Sequence, residues 1–304
     1  MSSKEKRSVP PEAIELYNQF IHGEITRRDF ISGANKLAVA GLTAGALVTA
    51  LMPDYAAAQQ VSKTDERIKA SYITIPSPQG NGYVKGYFVR PFSADSRSET
   101  PAKLPGIVVV HENRGLNPHT EDVARRLALV NFNVFAPDVL TSVGGYPGDD
   151  FQGGQLFAKI DNAKKFEDIV ASALWLKSRP DSNGKIGATG FCYGGGVSNQ
   201  LAVRLGADLG AAVPFYGAAP EEADVAKIKA AILVQHGELD TRLVQAWPAY
   251  EKALKAAKVP YQGNIYKGAG HGFFNDATPE RYSEVAATEA WNSMVGWFNK
   301  YLRG

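Results

Sequence analysis

The chain has 304 residues, 44% of them hydrophobic and 10% aromatic, with 33 basic against 31 acidic side chains and one cysteine. That length and apolar fraction fit one large domain or two small ones with a substantial core, and they exclude intrinsic disorder. The near balance of charge gives no footprint for nucleic acid. One cysteine excludes an internal disulfide, a Cys-rich zinc site and a chain-encoded iron–sulfur cluster.

The first residues read as an export leader. Thr26-Arg27-Arg28-Asp29-Phe30-Ile31 precedes an apolar run from Ala38 to Met52, then Pro53 and Ala56-Ala57-Ala58. Paired arginines, a modest hydrophobic stretch and an Ala-x-Ala end have the anatomy of a bacterial secretion signal. The arginine pair followed by Phe30 resembles the twin-arginine motif, which export machinery reads on folded cargo. The run is shorter than the about 20 residues a membrane span needs, so no stable span is expected. The chain therefore divides into a leader, 1–58, and one catalytic domain, 59–304, placed in the periplasm or secreted. The alternative is a cytoplasmic protein that keeps the leader as a helical arm. Ile14, Tyr17, Phe20 and Ile21 have helical spacing, which suits a helix that docks on something if retained.

Beyond the leader, strand and helix patterns alternate. Ser71 to Ile75 and Tyr83 to Val89 read as a hairpin around Pro78-Gln79-Gly80-Asn81-Gly82. A polar stretch from Ser93 to Lys103 leads to Pro105-Gly106-Ile107-Val108-Val109-Val110, an unalternating run typical of a strand buried on both faces. A helix over Glu121 to Val130 and a strand at Asn133 to Ala136 follow. Leu140 to Leu156 is Gly-rich and predicted to be an irregular loop. Next come a helix from Asp161 to Ser178, a strand at Lys185 to Thr189 and a helix to Leu205. Strands at Ala211 to Phe215, Ala231 to Gln235 and Gln262 to Tyr266, with helices at Trp247 to Ala257 and Arg281 to Leu302, complete the pattern. It predicts an α/β protein with a mainly parallel sheet covered by helices on both faces.

Gly190-Phe191-Cys192-Tyr193-Gly194 sits between a strand and a helix, the setting that gives a G-x-S-x-G elbow its meaning, here with cysteine as nucleophile. At a helix N-terminus the dipole favours a thiolate, and the Tyr193 N–H faces a forming oxyanion. The plain alternative is a buried cysteine acting as a small hydrophobe. A base and its orienter should follow in chain order. His271, in the glycine-flanked loop Gly270-His271-Gly272, suits the base. Asp240 suits the orienter, with Glu238 as its rival. His111 ends the central strand and reads as packed, His236 as a turn cap, His119 as a solvent-facing helix start, and His22 falls in the leader. Glu112 is open to two plain readings, a solvated loop residue or a salt-bridge partner of Arg114. No His/Asp/Glu cluster has metal-ligand spacing, and no cofactor or metal is expected.

Gly190-Phe191-Cys192-Tyr193-Gly194-Gly195, His236-Gly237-Glu238-Leu239-Asp240, Gly270-His271-Gly272-Phe273 and Val110-His111-Glu112-Asn113-Arg114-Gly115 resemble the dienelactone hydrolase (carboxymethylenebutenolidase) family of α/β-hydrolases. The resemblance covers roughly Ala70 to the C-terminus. It implies the α/β-hydrolase fold, with Cys192 as nucleophile, His271 as base and Asp240 as orienter. It further implies Glu112 as the glutamate that takes part in controlling the thiol's protonation, and the backbone N–H groups of Tyr193 and Asn113 as oxyanion donors. The family's carboxylate-gripping arginines are missing from their usual places. Asn275 stands where one is expected after the histidine, and Leu140 to Val170 holds no arginine. Lysine does not replace a bidentate guanidinium without loss, so the expected substrate is a less acidic small ester, thioester or lactone held by Tyr146, Phe151, Tyr193, Tyr216 and Phe274. The competing readings are a non-catalytic α/β-hydrolase scaffold that binds a ligand or partner, and a redox-sensing thiol, which a lone cysteine without a resolving partner disfavours.

Overall fold

A computed structural model describes residues 9–38, 43–92 and 103–304. Most of the polar stretch from Ser93 to Lys103, and part of the apolar run from Ala38 to Met52, lie outside the described residues. The strands are β1 (Ile68–Ser77), β2 (Gly82–Pro91), β3 (Leu104–Val110), β4 (Asn133–Asp138), β5 (Ser182–Phe191), β6 (Ala211–Phe215), β7 (Ala231–Gly237) and β8 (Tyr261–Tyr266). They form one sheet in the order β1-β2-β4-β3-β5-β6-β7-β8. β2 pairs antiparallel with both neighbours, and every other pairing is parallel. This is the α/β-hydrolase sheet.

Helices α4 (Pro118–Leu129), α6 (Asn162–Ser178), α7 (Tyr193–Leu205), α8 (Thr241–Ala256) and α9 (Glu284–Leu302) cover the two faces. The central strand shows why no alternation was visible in it. Ile107 and Val109 enter the apolar layer under α4 and α9, while Val108 and Val110 enter the one under α6, α7 and α8. Both faces are dry, so each position must be apolar.

Several elements differ from the sequence reading. The Gly-rich segment is not wholly irregular: after a 3-10 turn at Thr141–Val143 it forms α5 (Asp150–Phe157), capped by the Asp149 carboxylate accepting from the Gln152 N–H at 2.8 Å. Gly153 and Gly154 stand in this helix because Arg114 lies directly against them and leaves no room for a Cβ. α8 starts at Thr241 and carries Pro248 inside it, so the proline masked its first turns. α9 starts at Glu284, after Arg281 has already been used in a turn. His119 does not face solvent. α4 opens at Pro118, which turns His119 inward, 3.0 Å from the Asp276 carboxylate and edge-on to Phe191.

The N-terminal residues fold onto the domain as a three-helix arm: α1 (Pro11–His22), α2 (Arg27–Leu37) and α3 (Ala44–Leu51). Ala13, Tyr17, Phe30, Ala34, Leu47 and Leu51 form a small core of their own. Arg27 and Arg28 open α2 behind a capping box in which Thr26 and Asp29 satisfy each other's backbone N–H groups. Polar contacts tie the arm down. Asn113 Nδ2 donates to the Ile21 carbonyl at 2.6 Å, the Asp54 N–H donates to the Ala277 carbonyl at 2.7 Å, and the Tyr55 hydroxyl donates to Asp150 at 2.8 Å. Among the described residues no helix is long and apolar enough to cross a membrane.

Candidate active site

β5 ends at Phe191 and α7 begins at Tyr193, leaving Cys192 alone at the turn with φ 53° and ψ −110°. A non-glycine residue held there is strained, and its surroundings must enforce it. They do so by close approach. A methyl group on Gly190 would overlap the Gly194 carbonyl, and one on Gly194 would overlap the Val110 carbonyl. The Cys192 N–H is pinned to the Phe215 carbonyl at 3.1 Å. Gly194 thereby brings the loop after β3, which carries Glu112 and Asn113, beside the elbow.

Asp240 follows β7 and His271 follows β8, so both side chains rise at the carboxyl edge of the sheet, where the elbow also stands. His271 Nδ1 donates to Asp240 Oδ2 at 2.6 Å. Glu238, the rival, is taken up elsewhere: its carboxylate accepts from the Gly268 N–H at 2.8 Å. His271 is also hydrogen-bonded to Cys192. Burial alone would strip the proton from this imidazole. The Cys192 charge and the hydrogen bonds to Asp240 and Cys192 outweigh it, and the group is held up at about 9. Asp240 responds in the opposite sense. Burial would raise it, but the His271 contact keeps it below the usual carboxylate range.

The other expected residues divide. Glu112 is buried and lies within electrostatic reach of the Tyr17 and Tyr216 hydroxyls. No ion pair joins it to Arg114 among the described residues. Tyr216, at φ 35°, packs its ring 4.9 Å from that of His271. Tyr146 donates its hydroxyl to Asp150 at 2.7 Å. Phe151 stacks on Phe20 of α1 at 6.1 Å, with the Arg27 guanidinium over its ring, 4.5 Å from the centroid. The Tyr193 ring turns away from the thiol and packs edge-on against Phe157. Phe274 lies in the core, stacked on Phe191 at 5.3 Å, because Gly272 in the left-handed region turns the chain inward after His271. His111 and His236 are packed groups. His111 accepts from the Val139 N–H at 3.3 Å and is kept neutral by burial, and burial pulls His236 down to about 4 against the opposing pull of Asp240.

The dienelactone hydrolase family model matches residues 92–302, a stretch that takes in Cys192, Asp240 and His271. The chain belongs to the dienelactone hydrolase family. It is a hydrolase of that family by descent, and its relatives agree. YghX of Escherichia coli (strain K12), provisionally named a hydrolase fragment, is 52% identical over 120 residues, 40% of this chain and 97% of its own. A chain of Escherichia coli O157:H7 provisionally named carboxymethylenebutenolidase is 29% identical, over 79% of this chain and 90% of its own. A crystal structure from Klebsiella pneumoniae, provisionally titled a dienelactone hydrolase, superposes with TM-score 0.66 at 27% identity, over 77% of this chain and 99% of its own. A second profile, described as YqhI-like, matches residues 1–40.

Three buried residues in the neighbourhood of Glu112 and Tyr216 were given no part in the sequence reading of the site: Tyr17, Arg114 and Arg281. Arg281 lies ten positions beyond His271, and its Nη1 sits so close to Gly272 that a Cβ there would approach to 2.8 Å. Arg114 was read only as a partner for Glu112. Tyr17 belongs to the arm, where its helical spacing was the one available signal. A cleft of about 380 Å³, walled by Ile14, Glu15 and Asn18 of α1 and by Asp240, Arg242 and His271 opposite, leads from solvent to the base. Among the described residues no group of His, Cys, Asp and Glu could hold a metal ion.

Proposed function

We propose that this protein hydrolyses a small ester or lactone through Cys192, His271 and Asp240. The observation that carries this reading is the run of contacts from the Asp240 carboxylate through the His271 imidazole to the thiol of a residue held at an elbow. The sulfur adds to the carbonyl carbon, and the N–H groups of Tyr193 and Asn113 receive the oxyanion. The C–O bond then breaks, and His271 gives its proton to the leaving oxygen. Water adds to the thioester, its proton passing to His271, and the C–S bond breaks to release the acid. Asp240 fixes the imidazole so that its other nitrogen faces sulfur and then water. Glu112 lies close enough to act on the charge state of the site.

A panel of small esters and lactones, run on wild type and Cys192→Ala, tests this. The expected loss is at least about a thousandfold in kcat/KM. Full activity in the variant overturns the reading. No turnover across the panel, with tight binding of some ligand, favours the scaffold reading instead. We also propose export through the Thr26-Arg27-Arg28-Asp29-Phe30-Ile31 motif, supported by the apolar run behind it. Cell fractionation with Arg27→Lys/Arg28→Lys tests that, and an unchanged distribution refutes it.

A further inference from the structure

Helix α1 and Tyr55 lie within residues 1–58, whose sequence has the anatomy of a leader. In the structure both are tied to the catalytic edge of the sheet. Ile21, near the C-terminal end of α1, accepts from the side chain of Asn113 in the loop after β3. Ile14, Glu15 and Asn18, earlier in the helix, share a cleft with Asp240 and His271 in the loops after β7 and β8. Cys192 follows β5, and β5 stands between β3 and β7 in the sheet. A helix that meets both sides therefore crosses the edge on which the elbow stands.

The local sequence prepares this contact. Gly23, at φ 78°, ends α1, and the N–H groups of Gly23 and Glu24 close back on the Gln19 and Phe20 carbonyls. That leaves the Ile21 carbonyl, at the negative end of the helix dipole, for Asn113 Nδ2, which donates to it at 2.6 Å. The same loop is held a second time. Asn117 caps α4 with its Oδ1, and its Nδ2 donates to the Tyr55 hydroxyl at 2.8 Å, which in turn donates to Asp150. Two side chains of the loop are thus spent on the arm, while the Asn113 N–H donates to nothing among the described residues. That N–H is the one proposed above to receive the oxyanion. A loop donor stabilises an oxyanion only where it is fixed beforehand, because moving it into place would consume the gain.

We propose that the arm completes the oxyanion site: the Ile21 carbonyl and the Tyr55 hydroxyl, acting through the side chains of Asn113 and Asn117, are positioning groups that hold the Asn113 N–H toward the carbonyl oxygen of the substrate. The inference rests on the hydrolase reading above. It makes the folded arm a working part of the enzyme. Loss of residues 1–58 removes both partners of the loop and leaves the thiol, the base and its orienter in place with a loose oxyanion donor. The thiol then reacts as before, and the tetrahedral intermediate is what loses support.

The test uses the full chain and p-nitrophenyl butyrate. Asn113→Ala should lower kcat by about 10- to 100-fold with little change in KM, since the donor matters at the transition state. Asn113→Gln keeps an amide donor and should recover part of the loss. Tyr55→Phe removes one oxygen from the arm and should lower kcat by a smaller factor. Affinity for the trifluoromethyl ketone of the same acyl group, whose adduct with sulfur carries an oxyanion, should fall in step with kcat/KM in each variant. Alkylation of Cys192 by iodoacetamide forms no oxyanion, so its rate should stay at the wild-type value. Ala34→Glu places a charge in the arm's own core and should match Asn113→Ala, with no further loss when the two are combined. If Ala34→Glu does not fold, Tyr55→Phe decides. Unaltered kcat in both Asn113→Ala and Tyr55→Phe overturns the proposal, as does a loss expressed in KM alone. Faster turnover or faster alkylation in Ala34→Glu marks the arm as a plug that hinders the site, and overturns it too. Wild type that cleaves no ester fails the hydrolase reading and the proposal with it, whereas an active wild type with unaffected variants fails the proposal alone.

Discussion

The Asp240 carboxylate lies 2.6 Å from Nδ1 of His271, and that contact holds an imidazole whose burial would otherwise remove its proton. The two residues come from loops after neighbouring strands, β7 and β8, separated by the whole of α8 in sequence. Their meeting depends on the parallel pairing of those strands, whose register places His236 beside Ile265 and Gly237 beside Tyr266. Sheet geometry thus sets the tautomer and the direction of the His271 imidazole.

The titration of His271 follows from this. In wild type the imidazole should be half-protonated near pH 9, because Cys192 and Asp240 both favour the cation against burial. Asp240→Asn removes one of these and Cys192→Ala the other, so each should move the titration toward its ordinary value of 6.5. Imidazole NMR across pH 5–11 reads the shift directly. Asp240→Asn should also lower kcat/KM by about 10³- to 10⁴-fold, since an amide no longer fixes the tautomer. Unaltered titration in both variants would show that the contacts do not govern the base.

The elbow makes a paired prediction. Gly190→Ala places a methyl group onto the Gly194 carbonyl, with backbone on both sides and nothing able to move aside. Loss of about 1–3 kcal/mol of stability and of nearly all activity is expected. Gly196→Ala, three positions further along α7 from the thiol's own neighbour Tyr193, meets nothing nearer than 3.6 Å and should retain the fold. Chemical denaturation of the two variants in parallel separates crowding at the elbow from a general intolerance of alanine in this helix.

Much of this architecture was legible in the sequence because it rests on local signals. The unalternating valines of β3 announce a buried central strand, and the glycines around Cys192 announce a turn too tight for side chains. What was not legible depends on contacts across the chain. The helix predicted from Trp247 has Pro248 in its first turn, yet α8 begins at Thr241 and runs through the proline. Phe274 reads as a pocket residue, yet the left-handed Gly272 sends it into the core. Nothing in the pattern of α1 beyond an apolar face says that it packs beside the loops that carry Asp240 and His271.

Asp122 is expected to be the most sensitive acidic residue outside the site. It accepts from Arg125 Nη2 at 3.1 Å, from Arg126 Nε at 2.6 Å and from the Val61 N–H at 2.9 Å. Asp122→Ala leaves the fully buried Arg125 with only the longer 3.9 Å contact to Glu121 as counter-charge, which should cost about 3–5 kcal/mol in urea unfolding. The double variant Asp122→Ala/Arg125→Met removes the orphaned charge and should recover a large part of that loss. Additive losses in the double variant would refute the coupling.

His236, with the buried His111, shapes the acid side of the stability profile. Burial lowers it from 6.5 to about 4, so the folded protein keeps it neutral where the unfolded chain would already be charged. As pH falls from 6.5 toward 4 the unfolded state takes up a proton that the folded state refuses, and stability declines through that window. The carboxylates of Asp240 and Asp276 act lower down. Both are held below their ordinary value of 3.8, so their contribution is present above that value and is lost as pH falls through their folded values. The two effects therefore occupy different pH ranges. His236→Gln should flatten the decline between pH 6.5 and 4 in urea unfolding and leave the steeper loss below pH 4 in place. If the variant and wild type decline alike above pH 4, the acid sensitivity belongs to another group.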